Sequence, residues 1–157
     1  MKLAEALALR ADLSTRLQSL VARAARFALV QEGSDAQESS TELITEHLRV
    51  ADELEALIVR INVSNTATEV QPGLSMTAAL ARRDTLRARH GMLVRIAEAA
   101  SASPDRLGRA ELRAVPTVEV SALRTRADRV AVELRELDMR IQEVNWATEL
   151  REDAAAV

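Results

Sequence analysis

Apolar residues recur along this chain at alternating spacings of three and four, the mark of helices that bury one stripe. The first run is Leu3, Ala6, Arg10, Leu13, Leu17, Leu20, Ala24 and Phe27, four heptads with one polar interruption at Arg10. Leu7, Val21 and Ala28 widen it on one side, and the pattern predicts a helix over residues 3–30. A polar stretch from Gln31 to Ser40, containing Gly33, reads as a loop or hairpin tip. Ser39 and Glu42 then form a capping box, each side chain placed to satisfy the other's backbone N–H. The second helix, over 40–63, carries Leu43, His47, Val50, Leu54, Leu57 and Ile61 on one seam. Ile44, Leu48, Ala51 and Ile58 lie beside that seam, so its apolar arc is wide.

Between 62 and 73 the pattern changes. Asn62, Ser64, Asn65 and Thr66 compete for backbone hydrogen bonds and are expected to end the helix. Thr68 to Met76, with Gln71-Pro72-Gly73 at its centre, reads as a short β-hairpin. A third helix over 77–100 places Met76, Ala79, Arg83, Leu86, His90, Leu93, Ala97 and Ala100 in register, with Gly91 inside it. After an irregular connection opened by Ser103-Pro104-Asp105, Leu112 to Val118 alternates well enough to join the hairpin. The last helix, over 119–151, repeats Val120, Leu123, Ala127, Val130, Leu134, Leu137, Ile141 and Val144 without a polar break. A frayed tail from Glu152 to Val157 follows. Together these elements predict a mainly α fold. It is an antiparallel bundle of four long, coiled-coil-like helices with a small β-hairpin element near 68–76 and 112–118, in a single helical domain over 1–157.

Composition sharpens this picture. A chain of 157 residues buries ~70% of its unfolded surface. With one Phe, one Trp and no Tyr, the core must be built from Leu, Val, Ile and Ala. Four Gly and three Pro are too few for a many-stranded fold. The net charge of −3 and the lack of aromatic stacking platforms argue against nucleic acid as a partner. The absence of cysteine excludes disulfides and thiolate chemistry. No uncharged run approaches the ~18 residues of a membrane span, and the N-terminus has no continuous apolar run like a signal peptide's. The expected location is the cytoplasm.

Short motifs are spread along the chain: Lys2 to Leu7 with Arg10 to Leu13, Gln31-Glu32-Gly33, Arg60-Ile61-Asn62 with Asn65 and Thr68, and Ala79-Leu80-Ala81 with Arg83-Asp84. The last is Arg135 to Asp138 with Ile141-Gln142 and Asn145-Trp146. Together they resemble the septicolysin-like family of small bacterial proteins. The similarity runs from residue 2 to about residue 150. It implies no established activity, only, through the family's name, a cytolytic one. Gln71-Pro72-Gly73 departs from the acidic-Gly turn that the resemblance implies.

Three groups of residues could carry chemistry. His47 and His90, both on seams, could meet a carboxylate at a metal ion, or could each be a core-edge histidine with a hydrogen-bonded neighbour. Neither has a Glu three residues before it, since Ile44 and Arg87 stand there, so the di-iron carboxylate pattern fails. Arg10 and Arg83 need partners if buried, and Asp84 and Asp138 could supply them, as a register-fixing ion pair or as an anion site. Asn62, Asn65, Thr68, Asn145 and Trp146 could form a polar pocket or subunit contact. The plainer alternative is capping by Asn and Thr, with Trp146 closing the core. Trp146 is expected to pack against the end of the second helix that bears Asn62 and Asn65. No phosphate-binding loop, nucleophile elbow or zinc-protease motif is present, so no cofactor and no catalysis are expected. The reading that follows is a structural or interaction protein that self-associates into a homo-oligomer. The alternatives are a membrane-active cytolysin, from the resemblance alone, and a small-ligand or metal-binding protein using the polar cluster.

Overall fold

The computed structural model describes residues 1–32, 37–101 and 115–152. Four helices run in chain order: α1 Leu3–Arg26, α2 Ser40–Ala67, α3 Met76–Ser101 and α4 Val120–Ala147. A two-stranded antiparallel sheet, β1 Glu69–Gln71 and β2 Leu74–Ser75, lies between α2 and α3. The fold is mainly α, built from helical hairpins as the heptad pattern predicts. The chain divides into two compact units, Met1–Glu69 with Glu143–Val157, and Val70–Gln142.

In the first unit α1 and α2 pair antiparallel. Arg16 meets Glu46, Arg23 meets Glu38, and the Ser40 hydroxyl donates to the Ala24 carbonyl at 3.0 Å, so advancing along one helix retreats along the other. Leu3, Ala6, Leu13 and Leu20 interlock with Leu43, Val50, Leu57, Ile61 and Leu150 as one aliphatic core. The Ser39 cap is present, its hydroxyl accepting from the Glu42 N–H at 3.3 Å. α1 stops at Arg26, short of residue 30. There the Ser40 hydroxyl takes one of its last carbonyls and Arg26 stacks over the Phe27 ring, 5.6 Å from its centroid.

The expected break at Asn62 does not occur, and α2 continues to Ala67. The hydroxyls of Ser64 and Thr66 fold back onto the carbonyls of Arg60 and Asn62, at 2.8 and 3.0 Å, and so spend their hydrogen bonds inside the helix. α4 ends at Ala147, not at 151, because residues 148–150 leave the helix to lie antiparallel to residues 1–3. The Leu3 N–H donates to the Thr148 carbonyl at 2.9 Å, and the Leu150 N–H to the Met1 carbonyl at 2.8 Å.

In the second unit Pro72-Gly73 turns the hairpin, with Gly73 at φ +79°, a left-handed conformation that a side chain would strain. Of the stretch expected to join it, residues 115–118 are not in a strand, and residues 112–114 lie outside the described residues. Pro116 has no N–H to give a ladder. α3 starts one residue early, at Met76, with the Ser75 hydroxyl accepting from the Ala78 N–H at 3.3 Å. α3 and α4 run antiparallel, tied by Arg87 to Asp138 at 3.1 Å and by Arg124 to the Ser101 hydroxyl at 3.2 Å. Met76, Ala79, Leu86, Leu93, Ala97, Ala127, Leu137 and Ile141 are buried there. The expected irregular segment at 103–105 and the tail from 153 onward fall outside the described residues.

Candidate functional site

Asn62, Asn65, Thr68, Asn145 and Trp146 belong to the first unit, and Arg83, Asp84 and Asp138 to the second. Trp146 is 62% exposed, so the expected packing against the end of α2 is overturned. Ile141 and Asn145, one turn apart, point inward, and position 146 is rotated about 100° off that line. Asn62 is also exposed, and Asn65 and Thr68 are half-buried.

The end of α2 does meet the chain that follows α4, through different residues. Ser64, fully buried, donates to the Arg60 carbonyl and accepts from the Arg151 N–H at 3.0 Å, while Arg60 Nε donates to the Arg151 carbonyl at 3.3 Å. Lys2 completes a latch at the same end, its ammonium reaching Glu149 at 2.8 Å and the Ala147 carbonyl at 3.1 Å. The N-terminal amine lies 3.2 Å from Glu149 as well. Ser64 extends the buried series Leu57, Ile61 by three, and that spacing is the sequence signal that would have found it.

Hydrogen bonds from Lys2 and then from the N-terminal amine hold the Glu149 carboxyl below the usual carboxylate range. Arg23 does the same for Glu38, and Arg49, with Arg16, for Glu46. A carboxyl with a depressed folded-state pKa stabilises the fold above its unfolded value, near ~4.3, and that contribution is lost as pH falls through the folded value. Melting temperature should therefore drop on the acid side, and Glu149→Gln should make the drop shallower. A variant that follows the parent's acid limb would remove Glu149 from this account.

In the second unit Arg83, Asp84, Arg87 and Asp138 make a continuous chain of charges. Arg83 meets Asp84 at 3.0 Å and Asp138 at 3.9 Å, and Arg87 meets Asp84 at 3.8 Å and Asp138 at 3.1 Å. The Arg83 side chain is 21% exposed, half-sunk between solvent and core, which suits a clamp on the α3–α4 register. Arg10 faces solvent. His47 and His90 are each half-buried, one in each unit, and among the described residues no three His, Asp or Glu side chains gather to hold a metal ion. Nor does any fully buried side-chain nitrogen or oxygen among them lack a partner.

What the described surface does present is apolar. An open groove of about 350 Å³ lies between the C-terminal half of α1 and the start of α2, lined by Val21, Ala25, Ala28, Ile44 and His47 over Leu20 and Leu43. Val21 is 55% exposed, Ile44 54% and, one turn on, Leu48 60%. The one hydroxyl on its wall, Ser40, is already spent on the Ala24 carbonyl. On α3 a second shallow apolar surface runs along Ala88, Gly91, Met92, Arg95, Ile96 and Ala99. A Cβ at Gly91 would meet nothing within 4 Å. Gly91→Ala should therefore raise stability by about 1 kcal/mol in a denaturant titration, and a loss of stability would show a backbone need not visible in the structure.

A solved structure resembles this chain over nearly its whole length. It is described as that of a functionally unknown conserved protein from Corynebacterium diphtheriae. It is 36% identical, aligns over 96% of this chain and 99% of its own, and has a TM-score of 0.92. No curated protein matches. The model of DUF6847, a family of unknown function, matches residues 10–150. The expected septicolysin-like kinship is thereby corrected, since nothing in these comparisons points to that family. The motifs behind it are runs of two to six residues, too short for their combination to single out a family. The chain belongs to the DUF6847 family, whose function is unknown.

Proposed function

We propose that this chain is a non-catalytic interaction protein that acts by self-association, with the exposed face of the α1–α2 hairpin seated on a second copy. The observation that carries this reading is the run of Val21, Ile44 and Leu48, large apolar side chains more than half exposed around a groove whose walls are apolar. Two paired helices bury the seam between them and leave the outer part of a wide apolar arc in water. Contiguous patches of this kind on soluble proteins mark places where something docks. Each such side chain is a little over half exposed, so full cover by a partner contributes about 1–2 kcal/mol apiece.

Light scattering of the parent chain beside Leu48→Glu tests the proposal. The parent should scatter as an oligomer at micromolar concentration. The variant should shift toward the monomer with an unchanged helical spectrum, because Leu48 contributes little to the hairpin's own core. Equal masses for both would remove this face from the interface.

A further inference from the structure

Among the described residues, His47 is the one titratable side chain on the wall of the α1–α2 groove. The rest of that wall is Leu, Val, Ile and Ala, with the Ser40 hydroxyl already donating to the Ala24 carbonyl. The ring is half-buried, so water still reaches it in the separate chain. On its own helix the positions three and four residues away are Leu43, Ile44, Val50 and Ala51, none of them charged. On α1 the groove side carries Ser14, Gln18, Val21, Ala25 and Ala28, spaced four, three, four and three, and these too are uncharged. Glu46, adjacent in sequence, stands on the other flank of the α1–α2 seam, where it pairs with Arg16 and Arg49. Arg23 with Glu38 continues that row of ion pairs. Arg10 and Glu55 share the groove side of α1 and α2, but both are exposed and lie about two turns along from the ring.

We infer that self-association through this face is gated by pH: neutral His47 admits the second copy and protonated His47 holds it off. This rests on the self-association proposed above and names its regulation. A second copy lying on the groove removes the ring's water. The neutral imidazole loses little by this. The imidazolium loses the hydration of a full charge, with no carboxylate on either wall of the groove to replace it. Imidazole ordinarily changes charge near pH ~6.5, and this chain has no cysteine to titrate beside its two histidines. The carboxyls held by Arg23, Arg49 and Lys2 titrate well below that range, so the fold itself is unchanged across it. The separate chain takes up the proton and the covered one does not. Association is therefore complete above the imidazole's ordinary value and falls below it, by about tenfold per pH unit for each groove covered.

Sedimentation velocity of the full chain at pH about 7.5 and about 5.5, at one ionic strength, is the test. The parent's association constant should fall by about tenfold between the two. His47→Gln stays neutral throughout and should associate alike at both. His90→Gln, which removes the histidine of the other unit, should keep the parent's fall. Circular dichroism should show the same helical content at both pH values. A parent that associates equally at both would overturn the gate, as would His47→Gln that still weakens in acid or a loss of helix across the range. Association that strengthens in acid would place a carboxylate of the second copy over the ring and overturn it as well. Each of these results leaves self-association standing, whereas a parent that is monomeric at both pH values would overturn both.

Discussion

Leu57→Ala is expected to lower the stability of the chain by about 2–5 kcal/mol, while Leu48→Ala on the same helix should change it by about 0.5 kcal/mol or less. Leu57 is buried in the α1–α2 core, and deleting its branched end removes apolar contact and leaves a cavity that the neighbouring backbones close only in part. Leu48 lies on the outer face, where an alanine meets the same water. For a chain of this length each kcal/mol moves the melting temperature by about 2–4 °C, so Leu57→Ala should melt roughly 5–15 °C below the parent. The contrast also separates folding from association. Leu48→Ala should weaken self-association with little change in melting of the separated chain. If both variants melt together, the assignment of the two faces is wrong.

Leu3→Ala should have an effect of the same size, about 2–5 kcal/mol, for a second reason besides its burial. Its side chain is fully buried against the α1–α2 core, and its own N–H is the one that bonds the Thr148 carbonyl. Loosening the side chain loosens the short antiparallel pairing of residues 1–3 with 148–150, and with it Leu150 in the same core. Trp146→Ala, close to that pairing in sequence, is expected to stay within about 0.5 kcal/mol of the parent, because the ring stands mostly in solvent. Chemical denaturation of both variants checks the pair, and a Trp146→Ala loss as large as that of Leu3→Ala would contradict the exposed position of the indole.

The helices are legible in the sequence because a spacing of three and four is a direct readout of helical geometry. Seam positions such as Leu13, Leu20, Val50, Leu57, Leu86, Leu93 and Ile141 are the buried ones. The turn at Gln71-Pro72-Gly73 is legible because Pro fixes φ at about −65° while Gly, without a Cβ, admits the positive φ that the turn needs. The end of α2 is not, because Ser64 and Thr66 can satisfy their hydroxyls within the helix, a choice that local composition does not reveal. The latch of Lys2, Glu149 and Arg151 joins the two ends of the chain, and no local pattern encodes such a pairing. The polar set escapes sequence reasoning for a related reason. Trp146 resembles a core residue because Trp is large and apolar, but the helical phase set by Ile141 and Asn145 turns it outward. The proposed association face is half legible. Ile44 and Leu48 already stand out as extra apolar width beside the second seam, yet which of them α1 covers depends on how two helices cross.

Sedimentation equilibrium of the unmodified chain across a concentration series, from about a tenth of a micromolar to about a hundred micromolar, tests self-association most directly. The proposed self-association predicts a mass that rises with concentration above the 17.2 kDa of one chain. A mass that stays at one chain's value to the highest concentration would contradict it.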